Sequence, residues 1–136
     1  MIDLRTHQQP IVRFLETGLR RFRESWPSAP VRHVALYSCP WSGWVSLCFD
    51  SVPQPDQNCP DFEHVEVALY EATDWASEYE SDEHPRVKGL DGEVSEVDLD
   101  TEGDEGFNRL FFDFMRDLLS SPEAQGVLQT LAGPDV

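Results

Sequence analysis

A chain of 136 residues with 40% apolar and 11% aromatic side chains can fill one packed core, and is too apolar for wholesale disorder. Its formal charge of -16, from 10 basic against 26 acidic residues, argues against a nucleic-acid-binding face, which needs clustered cations to displace counterions from phosphate. The same balance disfavours an anionic membrane surface, and it suits a basic protein partner, a cation or plain solubility.

Residues 1–10, MIDLRTHQQP, hold no apolar core of a secretory signal. No segment reaches the roughly 18 apolar residues of a spanning helix. The cysteines Cys39, Cys48 and Cys59 are odd in number, which without an export signal reads as free thiols in a reducing cytoplasm.

Charge is unevenly placed along the chain. Residues 1–33 hold six arginines against three acids, a net of +3, whereas residues 34–136 hold four cations against 23 acids, a net of -19. The densest stretch runs from Glu78 to Glu105, with twelve acids against Arg86 and Lys88. Such a block repels itself, so it is expected as a solvated loop, an edge strand or an interaction surface.

Over residues 10–25, Ile11, Leu15, Leu19, Phe22 and then Trp26 recur at helical spacing and build one apolar stripe. Pro10 suits the first turn of this helix, and Pro27 and Pro30 close it. Val31 to Ser38 alternates as a strand, and Cys39-Pro40-Trp41-Ser42-Gly43 is a turn. Trp44 to Asp50 alternates again with Val45, Leu47 and Phe49 on one face, so the two runs predict a β-hairpin. Residues 51–60 contain three prolines and are expected as a loop. Glu63 to Glu71 predicts a third strand with Val65, Val67 and Leu69 facing inward.

Residues 72–83 fit a short helical turn carrying Trp75 and Tyr79, and Val94 to Leu99 could form a fourth strand. Asp104 can cap a helix in which Phe107, Leu110, Phe111, Phe114, Leu118 and Leu119 give the strongest helical pattern in the chain. Ser121-Pro122 opens a last helix, Pro122 to Leu131, burying Val127, Leu128 and Leu131 and ending at Gly133-Pro134. Strands grouped between helices predict a single α+β domain over residues 1–136. Its antiparallel sheet of 3–5 strands would carry the N-terminal helix and two C-terminal helices.

Few residues form a constellation with a chemical mechanism. Asp98, Asp100 and Glu102, followed by Gly103, match the opening of an EF-hand-type loop, where alternate carboxylates converge on calcium. The bidentate Glu of that loop is replaced by Arg109, so the alternative is an acidic connector whose end favours the next helix dipole. Zinc would need ligands from Cys39, Cys48, Cys59 and His33 or His64, and these lack the close pairs of structural zinc sites. A nucleophile at Cys39 or Ser38 has no elbow motif, and no glycine-rich phosphate loop is present. No catalytic residue and no cofactor are implied.

The run Val65 to Leu69, then Asp74-Trp75 and Tyr79-Glu80, resembles a bacterial family of single-domain proteins, the domain of unknown function numbered four-three-zero-three. The element order is more distantly similar to the SUKH superfamily, which includes immunity proteins that neutralise toxins. The resemblance implies a binding protein without a cofactor. Trp75, Tyr79 and Trp41 are then candidate aromatic anchors, and Asp91, Glu93, Glu96, Asp98 and Asp100 a candidate acidic surface for a basic partner. Acids there could mimic the anionic substrate of a basic cleft. A calcium- or magnesium-dependent domain or enzyme using Asp98, Asp100 and Glu102 is the alternative. An acidic protein with no dedicated partner is the third.

Overall fold

Alternating strands at His33–Cys39 and Trp44–Asp50 close into a hairpin across a 3-10 turn at Pro40–Ser42. The structure is a computed structural model and describes residues 1–25, 27–28, 31, 33–50, 64–81, 85–97 and 104–131. In chain order the elements are β1 (Ile2–Asp3), α1 (Gln8–Ser25), β2 (His33–Cys39), β3 (Trp44–Asp50), β4 (His64–Glu71), α2 (Thr73–Ser81), β5 (Arg86–Lys88), β6 (Val94–Glu96), α3 (Asp104–Leu119) and α4 (Pro122–Leu131). A second 3-10 turn, Leu4–His7, leads into α1.

The α+β architecture follows the expectation, with the strands divided between two three-stranded sheets. The larger is antiparallel, in the order β2-β3-β4. Its register sets Leu36 opposite Leu47 and Ser38 opposite Val45, and Val45 and Leu47 are fully buried. An irregularity between Ser46 and Leu47 brings Tyr70 opposite Val45. The facing of Phe49, Val65, Val67 and Leu69 lies outside the described side chains. The smaller sheet, β1-β5-β6, pairs β1 with β5 in parallel and β5 with β6 antiparallel. Strands of two or three residues carry no readable alternation, so β1 and β5 are not apparent in the sequence. The expected strand Val94 to Leu99 forms only over Val94–Glu96 and joins this second sheet.

The amphipathic patterns produce the helices. On α1, Ile11, Val12, Leu15, Leu19 and Phe22 are buried, and the helix packs against β4 and α4. Pro10 sits in its first turn, where backbone N–H groups have no helical partner to lose. On α3, Phe107, Phe111, Phe114, Met115 and Leu118 are buried while Phe112 is half exposed. Ser121 caps α4, accepting from the Ala124 amide at 3.3 Å, and Pro122 begins the helix.

Trp75 and Tyr79 do not form the exposed anchors expected of them. They lie at i and i+4 on α2, only 1% and 5% exposed, and face the one hydrophobic core cluster among the described residues. Trp75 meets the rings of His7, Phe111 and Phe107 with centroids at 5.0, 5.2 and 6.5 Å, and Tyr79 meets Phe107 at 4.7 Å. An aromatic cluster of this kind gains more from burial and edge contacts than an exposed ring would.

Candidate functional site

The β5–β6 hairpin and one face of α3 form the two walls of a groove of about 290 Å3. The hairpin is fixed from beneath, because Val87 and Val97 are buried and Val97 donates its amide to the Pro85 carbonyl at 2.8 Å. Its tip is a tight turn, in which Gly92 donates to the Gly89 carbonyl at 3.0 Å with φ of +82°. Asp91 Oδ1 accepts from the Glu93 amide at 3.0 Å and so holds both acids at the tip.

The other wall comes from helical periodicity. Leu110, Asp113, Phe114 and Asp117 share one face of α3, spaced three, one and three apart. Leu110 and Phe114 continue into the core, so the floor between the walls is apolar, joined there by Leu4, Val87 and Leu90. Above the floor stand Asp91 and Glu93 on the hairpin and Asp113 and Asp117 on the helix. Among the lining residues the one cation is Arg116. Its guanidinium lies 3.4 Å from Asp113 Oδ1 and 3.6 Å from Asp117 Oδ1, with its side chain 70% exposed. Exposed pairs of this sort are screened and easily exchanged.

Near the groove, Asp3 and Arg5 are paired through bonds of 3.0 and 2.9 Å, beneath the hairpin tip. The Arg5 side chain, donating to Asp3, holds that carboxyl below its usual range, and the Asp3 carboxylate raises the Arg5 guanidinium in return.

The residues anticipated from the sequence thus separate. Asp91 and Glu93 enter the groove. Glu96 is exposed and opposite Arg86 in the strand register, on the face of β6 away from the groove-lining Ser95. Trp41 is 39% exposed on the Pro40–Ser42 turn and is not among the groove residues. Trp75 and Tyr79 are in the core. Asp98, Asp100 and Glu102 lie outside the described residues, as does Cys59. Among the described residues no group of three or more His, Cys, Asp or Glu side chains could hold a metal ion. None of their helices is long and apolar enough to cross a membrane.

Asp113 and Asp117 are not among the residues anticipated from the sequence, although a signal for them exists. They are four residues apart on a strongly amphipathic helix and directly border its apolar stripe.

A second groove of about 370 Å3 separates β2 from α3 and α4, lined mainly by Leu36, Phe111, Phe112, Met115 and Leu119. Arg116 borders both grooves. Compared with protein-family models, curated proteins and solved structures, the chain matches none of them.

Proposed function

We propose that the protein is a non-enzymatic binding protein for a basic protein partner, engaged through the groove between the β5–β6 hairpin and α3. The supporting observation is the placement of Asp91, Glu93, Asp113 and Asp117 on two walls above an apolar floor. With Arg116 their one cation, the groove's acids keep a net negative charge that attracts a cationic partner. The net charge of -16 adds long-range steering, which raises the encounter rate with a basic protein and suppresses acidic competitors. Neutralisation of a toxin by filling its basic, anion-binding cleft is the specific form of this function that we favour. It agrees with the resemblance to immunity proteins.

The test is a titration of isotopically labelled protein with hexalysine, followed by amide chemical shifts at low and high salt. The function requires shifts concentrated at Asp91, Glu93, Asp113 and Asp117 that weaken as salt rises. Shifts spread evenly over all acidic positions would refute it.

A further inference from the structure

We infer that the groove takes a single lysine or arginine side chain of the partner, stem inward, which competes with the Arg116 guanidinium for Asp113 and Asp117. The inference rests on the proposed binding of a basic partner and concerns what that partner inserts.

Charge alone would need only an acidic surface. Here the carboxylates stand over Leu4, Val87, Leu90, Leu110 and Phe114, and a groove of about 290 Å3 is at the small end for a ligand site. A small compact cation would leave that floor wet. A long cationic side chain covers it, because lysine and arginine lay their methylene stems along apolar surface and keep the charged head among polar groups. Asp91 and Glu93 on one wall and Asp113 and Asp117 on the other offer that head a carboxylate on either side of the groove.

Arg116 already shows the chemistry. It comes from the helix wall itself and sets its guanidinium between Asp113 and Asp117. Its anchor and the two acids share one exposed helical surface, so it satisfies them without entering from the open side of the groove. Geometry of that kind makes it a weak competitor that an incoming side chain displaces, at small cost for an exposed pair.

The experiment compares hexalysine with its 2,4-diaminobutyrate counterpart, whose side chains are two methylenes shorter. It is run by calorimetry at pH 6, where both peptides are fully charged. Stem insertion predicts that the shorter peptide binds at least about fivefold more weakly, since fewer methylenes reach the floor. It also predicts that methyl signals of Leu4, Val87, Leu90 and Leu110 move only with hexalysine. Arg116→Gln should tighten hexalysine binding about threefold by removing the internal competitor and its charge. Equal affinity for the two peptides with silent methyl signals would overturn insertion while leaving a basic partner in place. Unchanged or weaker binding by Arg116→Gln would overturn the competitor role. Failure of both peptides to bind would overturn the underlying function as well.

Discussion

The indole Nε1 of Trp75 donates to the carbonyl oxygen of Pro40 across 2.7 Å, tying α2 to the turn between β2 and β3. Both groups are buried, so neither can turn to water. His7, from the turn before α1, meets the face of the same cluster, and its Nδ1 is 2.6 Å from Tyr70 Oη. One side chain thereby joins the larger sheet to the helices and, through the core, to the wall of the groove.

Trp75→Phe keeps an aromatic ring but removes one of the two donors to the Pro40 carbonyl, which still accepts from the Gly43 amide at 3.0 Å, and leaves a cavity. The loss is expected at about 1–3 kcal/mol, from one lost hydrogen bond together with lost packing. Urea unfolding would show it as a lower midpoint with an unchanged slope. Hexalysine affinity of the folded variant should stay within about twofold, since Trp75 is a core residue remote from any shared contact with the carboxylates. A large loss of affinity without a loss of stability would restore it as an anchor.

Gly43 closes the same turn with φ of +77°, and its carbonyl accepts from the Ala72 amide at 2.6 Å. A Cβ at this position would come within 2.5 Å of the Ala72 carbonyl oxygen, which is backbone and cannot swing away. Gly43→Ala therefore combines left-handed strain with a collision, and is expected to cost about 2 kcal/mol or more. Thermal unfolding checks this, and a change within experimental scatter would show that the turn can relax.

Asp3 and Arg5 give an acid-side dependence of defined sign. The Arg5 side chain lowers the folded-state pKa of Asp3 below its ordinary value of 3.8. Between those values the native state binds fewer protons than the unfolded chain. The stability contributed is complete above the unfolded pKa and lost as pH falls through the folded one. Asp3→Asn should flatten the stability profile slightly below about pH 4 and leave its shape near neutrality unchanged. The effect is small because the pair is exposed. Urea midpoints at a series of pH values measure it, and parallel profiles for the two proteins would contradict the assignment.

Long-period patterns made most of the fold legible. The helices bearing Leu15 and Leu19, Phe107 and Phe111, and the cap at Ser121 follow directly from spacing and turn chemistry. The hairpin from His33 to Asp50 does too. The parallel pairing of Ile2 with Val87 joins residues far apart in sequence, and no local pattern encodes it. The site was half legible. Asp91 and Glu93 stood out in the acidic block, but their partners Asp113 and Asp117 belong to a helix whose apolar residues dominate its signal. Trp75 shows the opposite failure. An aromatic beside many acids in sequence looks exposed, yet its helical spacing with Tyr79 turns both rings into the core.

Binding of hexalysine at low ionic strength to two equally neutralised proteins tests the central claim most directly. One carries Asp91→Asn, Glu93→Gln, Asp113→Asn and Asp117→Asn in the groove. The other carries Glu16→Gln, Glu24→Gln, Glu105→Gln and Glu123→Gln, outside it. Both change the net charge by the same amount, so general attraction falls equally in the two. A dedicated groove predicts a loss of about tenfold or more for the first and a change within about twofold for the second. Equal losses in both would mean that the peptide is held by overall charge, and would contradict the groove as the binding site.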